Sequence, residues 1–251
     1  MATLGQEIFT SGATLRRFIL LLDLKHRQKT PYALRPLLRQ FGYNVCPAAT
    51  LREAIEYIHV VVPSLIIIDT MQACDDVYEI IERMKQEPGC ANIPVVLIAA
   101  PAMKKDEEIA SRRLLTAFIK KPVQTEDLYR AVQRALERVP RQNIRIATCL
   151  KAVQGDVEGA EGYATELSER GMFFRTTVPQ PVHAQLPVWI WTDDREIQLE
   201  AKVIYRSVFD EGTFRGPGMG MMFVNIKPDD QTYLRTFIQR HLRAGMQEGG
   251  Q

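Results

Sequence analysis

The hydrophobic pattern of this chain changes period near residue 139, and that change restricts the fold more than any other feature. Before it, short continuous apolar runs alternate with segments that carry an apolar face at helical spacing. The runs are Phe18–Leu22, Tyr43–Cys46, Ser64–Ile68, Pro94–Ile98 and Ala117–Lys120. Apolar runs of this length without polar alternation read as strands buried on both faces. The helical segments between them cover 31–41, about 50–60, 76–86 and 103–115, and a last one opens at Thr125. Gly42 stops the first. Thr50 and Glu53 form a capping box for the second. Thr125 is expected to cap the last helix, with Glu126 and Asp127 favouring its positive end. Strand and helix in alternation predict a doubly wound, five-stranded parallel α/β sheet.

Beyond residue 139 apolar and polar residues alternate instead. Ile144–Leu150, Tyr163–Leu167, Met172–Arg175, Val188–Thr192, Ile197–Ser207 and Met219–Ile226 are strand candidates, with Gly- and Asp-rich turns between them. Six short strands at this spacing predict a small antiparallel β-barrel. A terminal helix over about Asp229–Ala244 places Leu234, Phe237, Ile238, His241 and Leu242 on one side, as a plug for one open barrel end. The chain thus reads as an N-terminal tail at 1–15, an α/β domain at 16–138 and a barrel domain at 139–251.

A hydrophobic fraction of 46% and a charged fraction of 25% over 251 residues provide for two cores without staples. Cys46, Cys74, Cys90 and Cys149 are widely spaced, and Cys46 and Cys149 fall in strand-like runs, so buried free thiols are expected. His26, His59, His183 and His241 show no metal-ligand spacing. The apolar runs are too short to span a bilayer, and residues 1–15 lack the basic and apolar blocks of a signal peptide, so a cytoplasmic protein is expected. A net charge of +2 gives no general polyanion affinity. Basic pairs at Lys104-Lys105 and Arg112-Arg113 come without aromatics interleaved on one strand face, which disfavours nucleic acid. No nucleophile–base–acid set or phosphate loop appears, so no enzymatic activity is expected.

The strand ends of the α/β domain carry Asp23, Asp69, Ala99 and Lys121-Pro122, where function sits in such sheets. Asp23 after the first strand, Asp69 after Leu65–Ile68 and the run Phe118-Ile-Lys-Lys121-Pro122 resemble the receiver domain of response regulators. The resemblance implies that Asp69 matches the phospho-accepting aspartate, Lys121 its lysine partner and Phe118 the switch aromatic. Several positions depart from it, among them Gln72-Ala73 and Asp76-Val77 in place of the usual Met-Pro and Asp-Gly signals. Leu24 stands where the family has a second acid for magnesium, and Ala99 stands where it has a hydroxyl. The expectation is a degenerate pseudo-receiver, in which Asp69 and Lys121 form a buried ion pair. Such domains pair through their last helix, so a homodimer through Leu128, Val132, Ala135 and Leu136 is expected; the alternative is that this stripe covers the sheet.

Arg130, Arg134, Arg138, Arg141 and Arg145 crowd the junction. Pro140 ends the helix there. In extended chain Arg141 and Arg145 lie about 13 Å apart at about 3.3 Å per residue. Two planar guanidinium forks at that reach suit a ligand with two phosphates. Downstream, Glu166-Leu-Ser168-Glu-Arg-Gly171 joins two strands. Here Gly171 permits a positive φ and a close approach to a ligand. Arg141-x-x-x-Arg145, then Ser168-x-x-Gly171, then Gly218-Met-Gly220-Met-Met-Phe223 resemble, in order, the motifs of the PilZ domain, a receptor for cyclic di-GMP. Glu166 departs from the family's Asp or Asn by one methylene. The resemblance implies a non-enzymatic effector that binds cyclic di-GMP through Arg141, Arg145, Glu166, Ser168 and Gly171, with no cofactor or metal. It would act on a signalling or motility protein in control of motility, attachment or exopolysaccharide. Alternatives are an interaction scaffold that no longer binds nucleotide and a phosphorylation-driven response regulator.

Overall fold

The computed structural model describes residues 18–24, 34–72, 75–100, 114–137, 140–141, 143–155, 160–207 and 216–247. Its compact units centre on Arg17–Ile144 and Arg145–His241.

The first unit holds a sheet of β1 (Phe18–Asp23), β2 (Asn44–Ala48), β3 (Leu65–Gln72), β4 (Val95–Ala100) and β5 (Ala117–Lys120). The order is β2-β1-β3-β4-β5, with every pair parallel. Ile19, Leu20, Leu22, Ile67, Ile68 and Val96 are fully buried, which is why these strands lack polar alternation. The helices are α1 (Leu34–Gln40), α2 (Leu51–Val60), α3 (Asp75–Gln86) and α4 (Thr125–Leu136). Gly42 ends α1 at φ +88°, and the Tyr43 N–H donates back to the Leu38 carbonyl. Thr50 caps α2 by accepting from the Glu53 N–H at 3.2 Å, while the Glu53 carboxylate accepts from the Ala49 N–H at 2.8 Å. The capping box therefore closes one residue earlier than its usual form.

Several expectations change. Thr125 is the first helical residue of α4, and Gln124 occupies the cap without a side-chain hydrogen bond there. Leu128 and Val132 are fully buried, with α4 packed on β3, β4 and β5. Each contributes about 1.5–3 kcal/mol by that burial. They cover the sheet, while Ala135 and Leu136 of the same stripe are half-buried. Cys90 is buried as a free thiol, Cys46 is half-buried, and Cys149 is exposed, because its position in an alternating strand points outward. The tail at 1–15, His26, Cys74, Lys104-Lys105, Arg112-Arg113, Arg138 and most of the helix expected over 103–115 lie outside the described residues.

The second unit is a closed barrel of β6 (Ile146–Gln154), β7 (Glu161–Ser168), β8 (Gly171–Arg175), β9 (Gln185–Trp191), β10 (Glu196–Ser207) and β11 (Gly218–Val224). Its order is β10-β11-β8-β7-β6-β9, antiparallel throughout. Ala164, Leu167, Phe174, Val188, Ile190, Ala201 and Val203 fill the interior with no exposed surface. Helix α5 (Pro228–Gln247) buries Leu234, Phe237, Ile238 and Leu242. It is tied to two turns at one barrel end. Arg235 donates twice to the Glu169 carboxylate in the β7–β8 turn, at 3.1 and 3.0 Å. Arg240 and Tyr233 both donate to Asp194 in the β9–β10 turn.

Candidate functional site

The β7–β8 hairpin positions the barrel half of the candidate site. Ser168 pairs with Gly171 across a two-residue turn. The Ser168 hydroxyl donates to the Gly171 carbonyl at 3.0 Å and accepts from the Arg170 N–H at 3.4 Å, so it closes the turn. Among the described residues the positive-φ glycines are Gly42, Gly89 and Gly155, and Gly171 is not one of them. Its lack of a side chain serves packing instead: a Cβ there would sit 2.3 Å from the Met221 carbonyl oxygen of β11. The bond from the Phe223 N–H to the Arg170 carbonyl at 2.9 Å holds the turn to the same strand.

Glu166 lies just past a bulge, where β7 advances two residues against one of β8. A bulge of this kind re-aims a side chain without breaking the ladder. Ala164 and Leu167 point into the core, and Glu166 is left half-exposed outside it. There its carboxylate meets the Arg145 guanidinium at 3.4 Å. Arg145, Glu166, Ser168 and Gly171 therefore share one end of one sheet face. Glu169, which the motif leaves free to vary, fixes this turn to α5 through Arg235, and the Glu169 hydrogen bond raises the Arg235 pKa above its ordinary value.

Arg141 belongs to the first unit. Its N–H donates to the Gln133 Oε1 at 3.4 Å, and Gln133 Nε2 donates to the Tyr43 hydroxyl at 2.7 Å. One turn earlier on α4, Tyr129 donates to the Asn143 carbonyl at 3.1 Å. Burial pushes the Tyr43 pKa up to about 12, so this hydroxyl stays neutral. Tyr129 and Gln133 stand four apart on one helix face and grip the linker backbone on either side of residue 142. Sequence reasoning did not single them out, although a polar residue on a buried helix face is a signal for such a bond.

In the α/β unit, Lys121 Nζ lies 2.6 Å from Asp69 Oδ1 and donates to the Thr70 carbonyl at 2.7 Å. Asp69 is 1% exposed and Lys121 10%. Asp23 is the register partner of Asp69 and lies exposed at the end of β1. Leu24 and Phe118 each pack, partly buried, against the core cluster, and Ala99 is fully buried. Among the described residues no group of His, Cys, Asp or Glu is arranged to hold a metal ion.

Residues 27–133 match the response regulator receiver domain, and residues 134–240 match the PilZ domain. The chain is a receiver domain followed by a PilZ domain. It is 29% identical over 101 residues to an uncharacterized 14.6 kDa protein in the sodA1 3′ region of Leptolyngbya boryana, covering 40% of this chain and 77% of that protein. It is 28% identical over 96 residues to response regulator Rre1 of Synechocystis, covering 38% of this chain and 42% of that one. Among solved structures, the Bacillus subtilis inhibitor of motility MotI/DgrA is similar at 18% identity and a TM-score of 0.37, over 41% of this chain and 52% of that chain. A response regulator described from Chloroflexus aurantiacus is similar at 24% identity and a TM-score of 0.41, over 49% of this chain and all of that one. Receiver and PilZ domains are signalling modules without catalytic activity, and a PilZ domain implies a cyclic di-GMP signalling effector. No helix among the described residues is long and apolar enough to cross a membrane.

Proposed function

We propose that this protein binds cyclic di-GMP at its PilZ domain and passes the event on through its receiver domain or a protein partner in the cytoplasm. The observation that carries the proposal is the Arg145–Glu166 pair above the Ser168–Gly171 turn. Arg145 is the right type for phosphate and for stacking on a base, because its fork is planar and bonds bidentately. Glu166 holds it in place and offers an acceptor to a guanine N–H edge. Arg141 supplies the second cation from the linker. Binding of both arginines to one ligand draws the linker towards the barrel, and only a difference in affinity between the two arrangements drives that change. Motility, attachment or exopolysaccharide control are the outputs the family suggests.

The receiver domain is proposed to be degenerate. Magnesium takes oxygen ligands in a near-octahedral array. Leu24 supplies none and is committed to the core, and Ala99 offers no hydroxyl to a phosphoryl group. The residues present do not fit the ion, so no phosphoryl-transfer step is assigned to Asp69. Acetyl phosphate with magnesium should leave Asp69 unlabelled in intact-mass measurement; stoichiometric labelling refutes the degeneracy.

The effector proposal is tested by calorimetric titration of cyclic di-GMP into the full chain, beside Arg141→Ala/Arg145→Ala. Binding by the first and not the second is expected. A scaffold without nucleotide affinity is the second reading, favoured by Glu166 in place of the family's Asp or Asn and by the receiver's departures at Leu24 and Ala99. Absence of heat and of thermal stabilisation at high ligand would decide for the scaffold.

A further inference from the structure

The barrel register sets four outward side chains from four adjacent strands in one row. Lys151 of β6 pairs with Tyr163 of β7, and Tyr163 pairs with Arg175 of β8. On the far side, Lys151 Nζ stands 5.9 Å from the ring centroid of Trp191 of β9. Reading along single strands gave no interleaved aromatics; they arise only across the strands, as Trp191, Lys151, Tyr163 and Arg175. The first two are engaged with acids: Lys151 lies 3.5 Å from Glu161, and the Trp191 Nε1 donates to Glu196 at 3.1 Å. The other end of the row is different. Tyr163 is 51% exposed. Among the described residues the exposed Arg175 guanidinium donates no hydrogen bond and forms no ion pair.

Two glycines shape this end. At Gly162, beside Tyr163, a Cβ would fall 2.2 Å from the Arg175 carbonyl, so its absence lets β8 approach β7 there. At Gly216 a Cβ would fall 2.7 Å from Arg175 Nε, so the guanidinium lies over bare backbone. The result is an open phenol ring with a cation as cross-strand neighbour on either side, at roughly 5 Å between Cβ atoms. A flat aromatic group that carries phosphate matches this set: the ring offers a stacking face and the arginine a phosphate fork. Tyr163 also lies on the strand of Glu166, three residues before it, on the same outward face. That is about 10 Å at ~3.3 Å per residue.

We propose that Tyr163 and Arg175 form a base-stacking subsite for the second purine of the cyclic dinucleotide held at Arg145, Glu166 and Ser168. The proposal rests on the effector reading above and extends its site up the barrel wall. The subsite reads the aromatic face of the base and not its edge, so it demands a purine-sized ring without selecting guanine over adenine. Discrimination between the two remains with Glu166.

The test is calorimetric titration of cyclic di-GMP into the full chain and into Tyr163→Thr, Tyr163→Phe and Arg175→Gln. Threonine keeps strand propensity at an exposed site, so the fold should persist, and ligand-free melting within a degree or so of the parent verifies it. Tyr163→Thr should bind about tenfold or more weakly, the scale of one lost base stack. Tyr163→Phe should bind like the parent, because the ring and not the hydroxyl acts. Arg175→Gln should weaken binding and flatten its salt dependence. Parental affinity in Tyr163→Thr, with binding abolished in Arg141→Ala/Arg145→Ala, overturns the subsite and leaves the effector reading standing. Absence of binding by the parent chain removes both.

Discussion

At the scale of single residues, the same type does different work in different places, and the surroundings decide which. Gly42 is required by its positive φ, whereas Gly171 is required by the carbonyl of Met221. Gly171→Ala should therefore lower stability before it affects any ligand. The new methyl meets backbone 2.3 Å away and cannot move alone, so β8 must part from β11. Overpacking of this kind costs about 1–3 kcal/mol. Urea unfolding should show a lower midpoint with an unchanged slope, and an unchanged midpoint would return Gly171 to a purely ligand-facing role. Lys121 is the opposite case, a charge kept because another charge is buried. Lys121→Met leaves Asp69 at 1% exposure without its cation and should cost about 3–5 kcal/mol. Adding Asp69→Leu should recover most of that loss, since an apolar pair of similar volume is often tolerated. Failure of the second change to recover stability would mean that Asp69 is held by more than Lys121.

At the scale of elements, the strands and helices were legible because burial writes a period into the sequence. The parallel strands read as unbroken apolar runs, the barrel strands as alternation, and Thr50 with Glu53 as a helix start. What was not legible follows from the same physics. The bulge beside Glu166 depends on pairing with β8, so nothing within β7 announces it. Leu128 and Val132 looked equally suited to a partner or to the sheet, because an apolar stripe does not name what covers it. The candidate site residues Ser168 and Gly171 stood out by spacing, but their roles in closing a turn and admitting a strand appear only with the register. The clasp on α5 was also hidden, since Asp194 and Arg240 are far apart in sequence. Its behaviour with pH follows from Asp194. A hydrogen bond from Tyr233, aided by Arg240, holds its pKa below the ordinary 3.8. A depressed carboxylate contributes stability above its unfolded pKa and loses it as pH falls through the folded value. The melting temperature of the parent should thus exceed that of Asp194→Ala by a constant margin above about pH 5, and the margin should shrink below about pH 4. A margin independent of pH would show that the clasp owes nothing to the charge.

At the scale of the whole molecule, the two arginines of the linker motif fall on different sides of the unit boundary. Arg141 has its backbone bound by Gln133 of α4, within the first unit, and Arg145 opens the second with its side chain on Glu166. On the effector reading proposed above, a ligand that takes both would couple the receiver domain to the barrel, while one that takes Arg145 alone would not. Affinity and coupling are thereby separable. Arg141→Ala should retain weakened binding of cyclic di-GMP through Arg145, Glu166 and Ser168, and the ligand should still stabilise the chain by mass action, about 2.7 kcal/mol at a hundredfold excess over its own Kd. Small-angle scattering should change on saturation of the parent and stay constant on saturation of Arg141→Ala. Tyr43→Phe acts at the other end of the same chain of bonds. It leaves a buried Gln133 amide without its acceptor, at about 1–3 kcal/mol, and so loosens the hold of α4 on the linker. If the linker transmits the signal, that variant should bind ligand yet show a different scattering change from the parent. Identical scattering changes in parent, Arg141→Ala and Tyr43→Phe would mean that the barrel acts on its partner alone and that the receiver domain is a passenger.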